Sequence, residues 1–127
     1  MDIFVVDDEP IIASTTAAVL QLNGYSATAF TDPHDALAAV RHGCPRLVIA
    51  DLKMPGLSGL GLSIRIRDSC PGCTIIIFTG LTYISDSLQD PRERSLQDAR
   101  ERGFEFSLLF KPVTPTELLL AVRKILG

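Results

Sequence analysis

The chain has 127 residues, 46% of them hydrophobic, with a formal net charge of −3 and a pI near 5.2. That length and apolar content suit one domain with a full core and argue against disorder, while the acidic balance offers no basic footprint for direct nucleic-acid binding. No apolar run approaches the ~20 residues needed to span a bilayer; the opening MDIFVVDDEP lacks the basic region of a secretory signal, and three cysteines, an odd number, point to a reducing, cytoplasmic setting with ordinary thiols.

Ile3 to Val6 is a short apolar run closed by Asp7-Asp8-Glu9-Pro10, which reads as a buried first strand with acids at its exit. From Pro10 to about Asn23, Ile12, Thr15, Val19 and Leu22 recur at helical spacing, and Asn23-Gly24 supplies a stop. Ser26 to Phe30 forms a second short strand. Asp32 then has the character of an N-cap, with Pro33 at the first position of a helix that runs to about Arg41. The third strand, Leu47 to Asp51, has no polar interruption before its last residue, which suits a parallel strand covered on both faces. A third helix is expected over roughly Leu57 to Arg67, with Pro71-Gly72 as its break.

Thr74 to Phe78 is rich in β-branched residues and reads as strand four, closed by Thr79-Gly80. The octad Ser87–Arg94 is followed at once by a second, Ser95–Arg102, differing only at Pro91 and Ala99. Eight residues turn an α-helix about 80° past two full turns. The copies therefore cannot share one face, and the duplication reads as a local lengthening of loop and helix. Asp90-Pro91 has the form of a helix start, leaving Leu81 to Gln89 mostly as loop. Phe106 to Phe110 is strand five, ending at Lys111-Pro112. Thr114 and Glu117 have capping-box spacing and open a last helix to Leu126. That helix carries an apolar stripe wider than one buried face needs, readable as a broad core face or as a homodimer or partner surface.

A β-α unit repeated five times implies a doubly wound, flavodoxin-like parallel sheet in the order 2-1-3-4-5, forming a single domain over residues 1–127. Asp7, Asp8, Asp51, Thr79 and Lys111 all then fall at the C-terminal ends of strands, with the aspartates at the switch-point crevice between strands one and three. Each residue alone is ordinary, since aspartates cap helices and form turns. Their convergence is the signal. Carboxylate pairs roughly 5 Å apart, at an effective dielectric of about 20, repel by on the order of 3 kcal/mol. Such a cluster raises a pKa or recruits a hard cation, Mg²⁺ or Mn²⁺ where only oxygen ligands are on offer. With an ammonium and a hydroxyl beside it, the set can hold a transferring phosphoryl group, with Asp51 as nucleophile.

In VVDDEP, DLKMPGLSG, TG and KP, in that order and spacing, the chain resembles the receiver domain of bacterial two-component response regulators. The resemblance covers nearly the whole chain. It implies Asp51 as phosphoacceptor, Asp8 as direct metal ligand, Asp7 acting on the metal through water, and the Lys53 carbonyl as a further ligand. It also implies Lys111 and Thr79 as contacts to the phosphoryl oxygens. The donor would be a histidine kinase or histidine phosphotransfer protein, and a downstream protein would read the altered surface. There would be no turnover on a separate substrate. In two places the chain departs from the pattern: Leu108 stands where the family usually has Tyr or Phe, and the segment from Thr79 to Lys111 is long. These departures keep a second reading open, a degenerate receiver that binds partners without phosphorylation. A haloacid dehalogenase-type phosphatase fits less well, because that family carries D-x-D where this chain has adjacent Asp7-Asp8.

Lys53, two residues past Asp51, is expected at the mouth of the site, where its ammonium would alter the lifetime of the modified state. At the other end of the sheet, Cys70-Pro71-Gly72-Cys73 invites a redox pair, and with His42 and Cys44 a Cys₃His zinc site. Reduced, unligated cysteines are the expectation against which both are set.

Overall fold

The computed structural model describes residues 2–80 and 91–127. It contains β1 (Ile3–Val6), α1 (Pro10–Leu22), β2 (Ala27–Phe30), α2 (Pro33–Val40), β3 (Leu47–Asp51), α3 (Gly59–Ser69), β4 (Thr74–Thr79), α4 (Pro91–Glu101), β5 (Ser107–Phe110) and α5 (Pro115–Leu126). The strands form one parallel sheet in the order β2-β1-β3-β4-β5, the doubly wound arrangement that the sequence implies. The expected loop Leu81–Gln89, the Asp90 cap and the first half of the first octad lie outside the described residues.

Alternation along the strands explains their continuous hydrophobicity. Phe4, Val6, Val48, Ala50, Ile75 and Ile77 face one way, onto Ala36 of α2, Leu62 and Ile66 of α3, and Leu96 and Ala99 of α4. Ile3, Val5, Leu47, Ile49, Ile76 and Phe78 face the other way, onto Ala17 and Leu20 of α1 and Leu118 and Val122 of α5. Both faces are covered, so neither set of side chains can be polar. The second octad supplies α4's described core contacts, through Leu96 and Ala99.

Local chemistry sets the helix starts. Asp32 accepts a hydrogen bond from the His34 N–H, Ser58 from the Gly61 N–H and Thr114 from the Glu117 N–H, each satisfying a donor that the first helical turn leaves over. The Ser58 cap places the start of α3 two residues later than the apolar spacing indicates. In α1 the expected face is corrected. Its buried residues are Ala13, Thr16, Ala17 and Leu20, whereas Leu22 is 86% exposed. Small side chains let the helix lie close on the sheet, which a stripe of Ile12, Thr15, Val19 and Leu22 would not.

Candidate functional site

Parallel register aligns the strand tips. Val6 pairs with Ala50, Asp51 with Phe78 and Thr79 with Phe110, so the residues that end or follow these strands emerge on one edge. Asp7 continues β1 by donating its N–H to the Phe30 carbonyl at 3.0 Å. Its Oδ1 accepts from the Glu9 N–H at 3.0 Å, which orients the carboxylate. Asp7 and Asp51 are 2% and 6% exposed and Asp8 is half-buried. One ligand oxygen from each of these three carboxylates lies within 4.8 Å of the others.

Lys111 comes from the far side of the sheet. Its N–H donates to the Thr79 carbonyl at 2.9 Å, which ties the end of β5 to the end of β4. Its Nζ then stands 3.2 Å from Asp51 Oδ1 and 3.3 Å from Asp7 Oδ2. The peptide bond to Pro112 is cis. Thr79, the last residue of β4, is buried, while a cleft at this edge is lined by Gly80 together with Asp8, Glu9, Asp51, Lys53 and Lys111. Lys53 is exposed at the mouth, and its backbone N–H near the Asp51 carboxylate lowers the carboxyl's pKa slightly, against the dominant effect of burial. Of the site residues named from the sequence, Asp8, Asp51, Lys53 and Lys111 line one cleft, Asp7 is grouped with them through Lys111 and the other two aspartates, and Thr79 meets Lys111 through its backbone carbonyl.

The charges do not balance: among the described residues, Asp7, Asp8 and Asp51 cluster together and Lys111 is the cation in direct contact with them, while Lys53 stands exposed at the mouth. Burial pushes the Asp51 carboxyl above the usual range, and the Asp7 charge adds to the push, outweighing Lys111. For Lys111, burial alone would lower the pKa, but the charges of Asp51 and Asp7 outweigh burial and hold it above the ordinary lysine value. A site with surplus negative charge and only oxygen donors fits a hard divalent cation.

Neither the Gly59 contact nor the pairing of the cysteines was legible in the sequence. A Cβ on Gly59 would collide with the Asp51 carbonyl oxygen, so the first residue of α3 lies directly against the backbone of Asp51. At the opposite end of the sheet, Cys44 and Cys70 are joined in a disulfide, and Cys73 is a buried free thiol. This corrects the expectation of three reduced cysteines and replaces the Cys70–Cys73 pairing. It also removes two sulfurs from the Cys₃His set; among the described residues, the acidic trio is the one grouping of potential metal ligands. The topology carries part of the signal. Neighbouring β3 and β4 pair Leu47 with Thr74, which brings the segments before them together without choosing between Cys70 and Cys73 as the partner of Cys44.

The family model of the response regulator receiver domain matches residues 3–123. The chain belongs to that family. Receiver domains are signalling modules of two-component systems. This one is 32% identical, over 95% of its length, to the DNA-binding response regulator MtrA of Mycolicibacterium smegmatis, of which it covers 48%. It is also 32% identical, over 98% of its length, to an uncharacterized 14.6 kDa protein of Leptolyngbya boryana, of which it covers 88%. The receiver domain of NtrX from Brucella abortus superposes with a TM-score of 0.78 at 29% identity, covering 98% of each chain. The chain spans about half the length or less of most curated relatives it matches. Within the receiver framework, Leu108 of β5 is half-buried against the β1–β3–β4 cluster and brings no hydroxyl toward Thr79.

Proposed function

We propose that this receiver domain is a phosphorylation-controlled switch, in which Asp51 accepts a phosphoryl group from a phosphohistidine of a histidine kinase or histidine phosphotransfer protein. The observation that carries this reading is the buried Asp51 carboxylate at the tip of β3, 3.2 Å from the Lys111 ammonium and grouped with Asp7 and Asp8. Asp7, Asp8 and Asp51, with the carbonyl of Lys53, are the residues that would hold Mg²⁺ or Mn²⁺. When bound, that cation neutralises the clustered carboxylates and the charge on the phosphoryl oxygens.

Asp51 supplies the attacking oxygen. As its bond to phosphorus forms, the phosphorus–nitrogen bond of the donor breaks and the electron pair returns to the imidazole, leaving an acyl phosphate on Asp51. The Lys111 ammonium, already paired with Asp51, transfers a hydrogen bond to a phosphoryl oxygen. Thr79 moves to donate its hydroxyl to another, and that movement reshapes the surface that a downstream protein reads. Water later attacks the acyl phosphate, restoring the carboxylate and releasing inorganic phosphate, so the switch resets without a separate substrate. Lys53 at the mouth sets how long the modified state lasts. The setting of this phosphorelay chemistry is cytoplasmic. The outward side of α5, where Leu120 is 62% exposed, is the surface assigned to a homodimer or output contact.

Incubation with Mg²⁺ and acetyl phosphate, followed by intact mass measurement, tests the reading. A phosphoryl adduct is expected on the wild type and not on Asp51→Asn. Absence of an adduct on both would favour the phosphorylation-independent interaction module instead.

A further inference from the structure

The end of the sheet away from Asp51 carries chemistry that the phosphorylation site does not use. Cys44 lies in the turn before β3 and is exposed; Cys70 is the C-cap of α3 and 3% exposed. Their disulfide joins elements 26 residues apart in sequence, with the Cα atoms 5.7 Å apart. A chain of this size, with two buried clusters, has a core large enough to fold without a staple, unlike the small domains that depend on one. Opening the bond therefore leaves a folded protein with a less constrained α3. The pair can be reached from solvent on one side only, through Cys44.

We propose that Cys44 and Cys70 form a reversible thiol–disulfide site, opened by a dithiol reductant through Cys44, which controls how firmly the C-terminal end of α3 is anchored. In the opening step a reductant thiolate attacks Cys44 Sγ and the Cys44–Cys70 bond breaks. The electron pair leaves on Cys70 Sγ, which takes up a proton. The reductant's second thiolate then attacks its own sulfur in the mixed disulfide and releases Cys44 as a thiol. In total the reductant gives up two electrons and two protons and becomes a disulfide, and a low-molecular-weight disulfide reverses the process.

Cys73 does not compete. It is 4% exposed, and burial pushes its thiol up to about 11, so very little thiolate is present near neutrality to attack the neighbouring bond. The exchange therefore runs between two defined states and does not shuffle among three sulfurs. Its mechanical target is α3, whose other end rests on Asp51 through Gly59, with the Gly59 N–H donating to the Leu52 carbonyl at 3.1 Å. The site stands independently of phosphorylation.

The test uses the full chain under native conditions in dithiothreitol buffers of defined redox ratio, followed by denaturing alkylation and intact mass. The oxidised protein is expected to take one alkyl group, on Cys73, and the reduced protein three, reversibly on adding oxidised glutathione. Amides near the C-terminal end of α3 should exchange roughly tenfold or more faster in the reduced form, with far-UV circular dichroism unchanged. Cys44→Ser should show the fast exchange without reductant and no longer respond to it. Cys73→Ser should keep the redox response. Three alkylations under oxidising conditions would overturn the proposal, as would loss of the response in Cys73→Ser, opening only after denaturation, or equal α3 exchange in both states.

Discussion

Gly59 lies against the main-chain carbonyl of Asp51, so closely that a side chain at residue 59 would have to occupy the space of that oxygen. The contact seats α3 on the residue at the centre of the site. It makes Gly59→Ala a displacement of Asp51 rather than a simple helix substitution. The expected cost is about 1–3 kcal/mol or more of stability from overpacking against backbone, with slower labelling by acetyl phosphate. Gly61→Ala is the control. There the tight contact of the new methyl would be with Cδ1 at the end of the flexible Leu57 side chain, at 2.9 Å, with Ser58 Oγ at an ordinary 3.5 Å, and helix propensity favours alanine by about 1 kcal/mol. Chemical denaturation of the two variants should give opposite or clearly unequal shifts, and equal losses would refute the assigned contact.

Asp51→Asn should stabilise the protein near neutral pH. Burial, followed by the Asp7 charge, raises the folded pKa of Asp51 above its unfolded value, so ionisation disfavours the native state. The wild type is therefore relatively better off in acid and loses stability as pH rises through the folded pKa. The variant's thermal advantage should be present at pH 7 and vanish below about pH 3.8, the unperturbed value. A melting temperature unchanged or lowered at pH 7 would contradict this sign.

Lys111→Met should act in the opposite sense. It leaves Asp7 and Asp51 facing each other without the cation between them, and the loss of charged hydrogen bonds is expected to cost about 1.5–3 kcal/mol. The folded pKa of Lys111 is raised, so its contribution is complete below the unperturbed 10.5 and fades as pH rises through the folded value. The wild type and the variant should therefore differ by a constant amount across neutral pH and converge only in strong alkali. Urea titrations at several pH values would reveal any other pattern.

Mg²⁺ should raise the melting temperature of the wild type, because a cation that binds only the folded trio stabilises it by about 2.7 kcal/mol at a hundred times its dissociation constant. Asp8→Asn, which alters a half-buried ligand without touching the Lys111 contacts, should abolish most of the shift. An undiminished shift in that variant would place the cation elsewhere.

On α1, Leu20→Ala is expected to cost about 2–5 kcal/mol and Leu22→Ala close to nothing, since the first residue is fully buried and the second 86% exposed. Denaturation midpoints will separate this face from the one the apolar spacing alone indicates.

The sequence by itself determined the order of elements, the parallel sheet and the residues of the acidic cleft. Continuous apolar strands, caps such as Asp32 and Thr114, and polar residues at each strand exit are local signals, and the right-handed crossover rule converts them into a topology. Only the tertiary structure decided which side chains pair across the sheet. That Lys111 stands between Asp7 and Asp51, that Gly59 lies on the Asp51 carbonyl, and that Cys44 joins Cys70 in preference to a Cys70–Cys73 pair all depend on distances between chain segments far apart in sequence. The buried face of α1 escaped the periodicity for a related reason: close approach to the sheet selects small residues, and alanine carries too weak a hydrophobic signal to outweigh an exposed leucine.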